Sequence, residues 1–284
     1  MNNDVNSGMR GFWNDSGGRM WVNYQHIIEV SMAPFGQKVM DILDFNDGER
    51  VLDIGCGCGG TTLEIAQLVG SNGYVFGVDI SEMIIESAKN KVSKTNEKNI
   101  IFECVDAQTH PFDLNKFDVV FSRFGVMFFD EPIVAFKNIR KSLVTGGRMA
   151  FVCWQAVKDI EWINVPRNIV GNYIALPSPS PPNEPGGFSF GDANRVKEIL
   201  HSAGFIDIIV EKFNSKINIG ADLNEALKFM THIGPAGSVL DNSAIDSKTQ
   251  AKFTNDLCAV LEAYKTNQGI ELGSAMWIVT ARNQ

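Results

Sequence analysis

The run Val51-Leu52-Asp53-Ile54-Gly55-Cys56-Gly57-Cys58-Gly59-Gly60-Thr61-Thr62-Leu63-Glu64-Ile65-Ala66 decides the fold of this chain. Val51 to Ile54 is a short apolar run that reads as a buried strand. Four glycines in six positions follow, and the apolar spacing then resumes at a helical period. Strand, glycine turn and helix N-terminus, in that order, make a pocket where bare backbone can touch a ligand. Gly55, Gly57 and Gly60 also satisfy the dinucleotide pattern G-x-G-x-x-G, so the loop alone leaves two ligand classes open.

Asp53 separates them. It stands two residues before the first glycine, where the strand ends and the ligand begins. A carboxylate there would repel a pyrophosphate, which needs the helix N-terminus and neutral backbone for itself. It suits a ligand with a cationic amino group and a positive sulfonium, which is S-adenosylmethionine (SAM). Val51 to Gly59 resembles motif I of the class I SAM-dependent methyltransferases. Further stretches carry the resemblance to a bacterial small-molecule branch of that superfamily: Phe12-Trp13-Asn14, Asp106-Ala107-Gln108-Thr109-His110-Pro111-Phe112, Phe121-Ser122-Arg123-Phe124-Gly125-Val126-Met127-Phe128-Phe129 and Phe188-Ser189-Phe190-Gly191-Asp192. The resemblance implies a cofactor-binding set of Asp53, Gly55, Cys56, Gly57, Asp79, Ile80, Met83, Asp106, Ala107 and Ser122. It also implies S-adenosylhomocysteine (SAH) as product and a small-molecule acceptor.

Several of these positions can be read on their own. Tyr74 to Asp79 is a second strand ending in an acid nineteen residues beyond Gly60. An acid there can accept hydrogen bonds from both hydroxyls of a ribose, in a nicotinamide cofactor as well as in SAM. Ser81 caps the next helix, with Glu82 in its first turn. Met83 either covers an adenine face with its thioether or is ordinary core. Ile100 to Cys104 is a third strand, followed by Asp106-Ala107; in the methyltransferase pattern this acid lies near the adenine amino group. Phe117 to Phe121 is a fourth strand, with Ser122 to Gly125 as the loop after it. Loops at the carboxyl ends of parallel strands carry the chemistry of such sheets. Arg123 either anchors an acidic substrate group or braces that loop. Asp130-Glu131-Pro132 opens a helix with an acid cap, Gly146-Gly147 ends it, and Arg148 to Cys153 is a fifth strand.

The rhythm of strand and helix at about thirty-residue spacing predicts an α/β fold, a doubly wound, mostly parallel, Rossmann-like sheet. With Phe205 to Phe213 and Ala275 to Ala281 it has seven strands, the last pair an antiparallel hairpin. Residues 1–284 form one domain. Within it, 1–24 reads as a mobile aromatic arm, acting as a lid or docked on the core, from which Trp13 and Tyr24 join Arg123 as substrate-contact candidates. Residues 23–44 are helical and divide at Pro34. Residues 155–190, with the run Pro177-Ser178-Pro179-Ser180-Pro181-Pro182, and the helical stretch 222–266, broken at Gly234-Pro235, are insertions capping the active site.

Composition bounds the partners. A formal charge of −8 and a pI near 5.1 argue against a nucleic-acid partner, which requires basic surface. No stretch approaches the twenty apolar residues of a membrane span, and residues 1 to 10 carry no apolar leader, so a cytoplasmic location is expected. Five cysteines at scattered spacings suit reduced thiols. Cys56-x-Cys58 has no partner pair to complete a tetrahedral site, so no metal is expected. The four histidines form no triad pattern, and no general base is assigned. Three readings follow: a SAM-dependent methyltransferase acting on an apolar or cyclic small molecule, a nicotinamide-dependent oxidoreductase, or a SAM-binding regulatory protein without turnover.

Overall fold

The strand β1 (Arg50–Ile54) is buried from Val51 onward, which is why its apolar residues run without alternation. A computed structural model describes the chain over residues 5–178, 181, 184–241 and 245–284. Ahead of β1 come α1 (Ser7–Trp13), α2 (Ser16–Asn23) and α3 (Gln25–Leu43). After it the chain alternates: α4 (Gly60–Val69), β2 (Tyr74–Asp79), α5 (Glu82–Val92), β3 (Ile100–Cys104), β4 (Phe117–Arg123), α6 (Pro132–Ser142), β5 (Leu143–Trp154), α7 (Glu161–Val170) and α8 (Ala193–Ser202). The remainder is β6 (Ile206–Gly220), α9 (Leu223–His232), α10 (Gly234–Asp241), α11 (Ser247–Leu261), β7 (Lys265–Thr266) and β8 (Gly269–Arg282).

The sheet runs β3-β2-β1-β4-β5-β8-β6, with β7 paired on β8. The first five strands are parallel, and β8 enters antiparallel between β5 and β6. The seven-stranded expectation therefore needs an eighth, two-residue strand, and three helices separate the terminal antiparallel pair instead of a hairpin turn. Strand order reverses between β1 and β4. In open sheets that reversal leaves a crevice at the carboxyl ends of the two strands, where ligands bind.

Several local expectations change. Within the expected aromatic arm, Ser7–Trp13 and Ser16–Asn23 are helical. Glycine-rich as they are, they fold because aromatic side chains at 12, 13 and 21 pack together and onto Phe128. Pro34 does not divide α3. Ile28, Met32, Phe35, Val39, Met40 and Leu43 form one buried stripe across it, and Val30, whose carbonyl loses its partner, lies on the exposed side. Ser122 and Arg123 belong to β4, paired with Phe151 and Val152 of β5. Gly146 and Gly147 lie within β5, where the register against β4 shifts. Asn283 holds them there: Gly146 N–H donates to its carbonyl (3.0 Å), its own N–H donates to Gly147 O (2.9 Å), and its side-chain amide donates to Leu143 O (2.8 Å). The helix before that strand opens on Pro132 with no side-chain cap, because the carboxylate of Asp130 accepts instead from the Asn6 backbone N–H at 2.6 Å. Of the proline-rich run, positions 179, 180 and 182 lie outside the described residues.

Candidate active site

The turn after β1 meets the turn after β4 backbone to backbone. Gly55 has φ 66°, and a Cβ there would stand 2.7 Å from Gly125 Cα, so a side chain is excluded on both grounds. Ser122 ties the same junction: its hydroxyl donates to Ile54 O (2.7 Å) and accepts from Gly125 N–H (3.2 Å). Phe124 between them has φ 60°, rare for a non-glycine residue, and its ring stacks on Trp154 at 4.0 Å with an interplanar angle of 14°.

Above this junction lies a chamber of about 290 Å³. Its cofactor-loop side is Ile54, Gly55, Gly57, Asp79, Asp106 and Ala107, with Ile80 beside Asp79. Apolar residues make most of the remaining lining: Met32, Phe124 and Trp154 from the core; Trp162, Ile163 and Phe188 from the 155–190 insertion; Ile233, Gly234 and Pro235 from the 222–266 insertion. Trp13, Met20 and Trp21 come down from the N-terminal helices. The lining thus includes residues from both predicted insertions and from the N-terminal helices.

Asp79 receives two backbone donors, Ser81 N–H on Oδ1 at 3.0 Å and Gly57 N–H on Oδ2 at 3.2 Å. Burial pushes its pKa to about 6 against those hydrogen bonds. Ser81 caps α5, accepting from Ile84 N–H. Asp106 is buried; Oδ1 accepts from Gln108 N–H (2.9 Å) and the Asn6 amide (3.3 Å), while Oδ2 has no hydrogen-bond partner among the described residues and faces Arg10 Nη2 at 3.9 Å. An open acceptor there, a part-exposed carboxylate at Asp79, and a glycine at 57, where a Cβ would stand 3.1 Å from Trp21 Nε1, fit the purine, ribose and amino-acid parts of a nucleoside cofactor.

Other sequence candidates lie off the chamber wall. Asp53 is fully buried; Thr62 and Thr61 hydroxyls donate to Oδ2 at 2.7 and 3.3 Å, and Oδ1 is without a partner among the described residues. Burial pushes its pKa to about 6, opposed by the Thr62 hydroxyl, the Arg123 charge and the Thr61 hydroxyl. The acid thus stands beneath the loop. Cys56 is buried, with its thiol held far toward the protonated form by burial and by the charges of Asp53 and Asp79. Met83 packs under α2, where a Cβ on Gly18 would come 2.9 Å from its sulfur. Tyr24 turns away to His232, with ring centroids 4.9 Å apart. Trp13 and Arg123 do line the chamber.

Sequence reading missed Asn6, Arg10 and Asn14. The Asn14 amide donates to Ile80 O (3.0 Å) and its carbonyl oxygen accepts from Glu82 N–H (2.9 Å), so it clamps α1 onto the end of β2. Its position beside Phe12-Trp13 was the available signal. Among the described residues no group of three or more His, Cys, Asp or Glu is placed to hold a metal, and no helix is long and apolar enough to cross a membrane.

Residues 45–163 match the family described as a methyltransferase domain. An aklanonic acid methyltransferase from a Streptomyces species is 38% identical over 119 residues, which cover 42% of this chain and 54% of that relative. This chain thus spans little more than half of that relative's length. A demethylmenaquinone methyltransferase from Staphylococcus epidermidis is 29% identical over 193 residues, 64% of this chain and 78% of that one. The chain thus carries a SAM-dependent methyltransferase domain over residues 45–163. The family cofactor is SAM, and the nicotinamide alternative is dropped. The fold agrees: a phosphoethanolamine N-methyltransferase from Haemonchus contortus in complex with SAM superposes at TM-score 0.60 and 18% identity, covering 96% of this chain and 59% of that one.

When SAM is bound, Asp79 and Asp106 would be the residues to hold its ribose and adenine, with Gly55 and Gly57 giving the backbone approach. SAM supplies an electrophilic methyl group when bound.

Proposed function

We propose that this methyltransferase transfers the SAM methyl group to an apolar, cyclic small molecule held in the capped chamber, leaving SAH. One observation carries the reading. The wall facing the cofactor loop is built from Phe124 stacked on Trp154, with Trp162 edge-on to Trp154 at 5.6 Å, closed by Trp13 and Ile233. Flat aromatic faces of this kind favour a planar ring and align it by stacking. The names of the two relatives support it, since one acts on a demethylated quinone and the other on aklanonic acid. The acidic overall charge supports a small-molecule partner over nucleic acid. The free state of all five cysteines supports a reducing, cytoplasmic location.

The test uses purified protein with SAM labelled in the methyl group and a panel of hydroxynaphthoquinones, phenols and aromatic acids. Label is expected in a cyclic, organic-extractable product, with SAH binding seen by calorimetry. SAH binding without transfer to any member leaves the SAM-binding regulatory protein standing in its place. Absence of SAH binding overturns the cofactor site.

A further inference from the structure

The charges on the chamber wall are divided by position. Asp79 and Asp106 stand on the cofactor-loop side, and Arg123 is the one lysine or arginine among the described residues of the wall. It ends β4, next to the point where the strand order reverses. A stem-sized gap is kept for it on α3: a Cβ on Gly36 would stand 3.1 Å from Arg123 Cδ and 3.7 Å from Nη1.

The Arg123 side chain makes no hydrogen bond, and no ion pair within 4 Å, among the described residues, although its backbone pairs with Val152. None of the acids around it pairs with it within 4 Å. Glu29 is paired with Lys91, and Asp53 takes the hydroxyls of Thr61 and Thr62 on Oδ2, its Oδ1 being buried without a partner among the described residues. Burial lowers the Arg123 pKa, and Asp53, Glu29 and Glu64 oppose that only through space. A guanidinium in such surroundings has five donors and no direct acceptor. The next residue is Phe124, whose positive φ turns its ring onto Trp154. A cation and an aromatic platform are therefore consecutive in the chain and share one wall.

We propose that Arg123 is the specificity anchor of the acceptor chamber, receiving an anionic oxygen group of a planar acceptor whose ring lies against Phe124 and Trp154. A guanidinium binds a carboxylate in a fork and an ionised phenol or enol through one arm, so a carboxylate acceptor is preferred. The anchor rests on the chamber being the acceptor site. The other carboxylate that could reach it is the cofactor's own amino-acid end, and the experiment separates the two.

The probes are 1-naphthoate and its neutral isostere 1-naphthamide, titrated into protein saturated with SAH and followed by calorimetry. The parent is expected to bind naphthoate at least tenfold more tightly than naphthamide, a decade being about 1.4 kcal/mol. R123M is expected to bring the two within twofold, while R123K keeps part of the preference. G36A, which presses a methyl against the Arg123 stem, is expected to reduce the preference with the guanidinium still present, so a poorly folded R123M does not end the test. SAH affinity is expected to stay within about threefold of the parent in all three variants, the margin drawn well inside one decade. Equal binding of the two probes by the parent, binding of neither, or a preference that survives R123M overturns the anchor. So does an R123M that loses SAH but keeps 5′-methylthioadenosine, which lacks the amino-acid end. If the parent itself does not bind SAH, the cofactor reading fails instead, and the same probe pair without SAH still decides the anchor.

Discussion

Replacing Asp79 with Ala tests the cofactor site where its geometry is best defined. Each carboxylate oxygen already accepts one backbone N–H, from Ser81 and from Gly57, which leaves one lone pair on each for the two ribose hydroxyls. Hydrogen bonds to a charged group contribute about 1.5–3 kcal/mol each. Two of them are then worth roughly 3 to 6 kcal/mol before water in the emptied space returns part of it. At least a decade of SAH affinity, about 1.4 kcal/mol, should be lost. Asp79→Asn is no gentle control here. Its amide nitrogen must face either the Gly57 or the Ser81 N–H, donor against donor, so melting temperature should fall along with affinity. The parent carries its own check in pH. With the Asp79 pKa at about 6, the ionised acceptor is lost as pH falls through 6, so SAH affinity should fall over that range and binding near pH 6 should release a proton. Calorimetry in buffers of different ionisation heat measures both. An Asp79→Ala variant that binds SAH within about twofold of the parent, well short of one decade, with an unchanged melting temperature refutes the assignment.

Three further expectations follow from the same geometry. Asp53 has a folded pKa near 6 against an ordinary 3.8, so the native state holds its proton the more tightly. Its contribution to stability is full below about 3.8 and lost as pH rises through about 6, by up to about 3 kcal/mol at about 1.4 per unit. Asp53→Asn should therefore match the parent's urea midpoint near pH 4 and exceed it near pH 7; a lower midpoint at pH 7 would count against the burial argument. Gly55→Ala puts a methyl 2.7 Å from Gly125 Cα on a residue with φ 66°. It should cost more than about 1 kcal/mol of stability and abolish SAH binding, read by thermal denaturation and calorimetry. Trp13→Ala should leave SAH affinity within about threefold while slowing methyl transfer, since its ring packs on Phe12, Trp21 and Phe128 over the chamber and not on Asp79. A melting temperature that falls with turnover unchanged would make Trp13 structural.

The parallel half of the fold was legible because its signals are local. β2 and β3 fall where the apolar runs place them, each closed by its acid or by the turn that follows. The antiparallel half was legible only in part. β6 extends to Gly220 through Asn214, Ser215, Lys216 and Asn218, and polar residues persist as strand there because β8 pairs them, not because their own propensity asks for it. Gly146-Gly147 read as a helix stop, since nothing nearby announces that a side chain 139 or more positions away stitches the segment. The site divides the same way. The glycine loop and Asp79 were visible, whereas Asn6 reaches Asp106 across 100 positions and Asn14 reaches Glu82 across 68. In the sequence those asparagines sit in a polar stretch that looks like a tail.

Besides the core, three groups of residues outside the parallel sheet line the chamber, at 13–21, at 162–163 with 187–188, and at 233–235. The first of them reaches the cofactor loop, since a Cβ on Gly57 would stand 3.1 Å from Trp21 Nε1, whereas none of the atoms nearest to Gly55, Gly57, Gly59 or Gly60 comes from the other two. Exchange of residues at 162–163 or 233–235 is therefore expected to reshape the chamber while SAH affinity holds, and exchange within 13–21 to disturb both. The cap is thus part socket and part handle, and redesign should begin with the two segments that leave the loop alone.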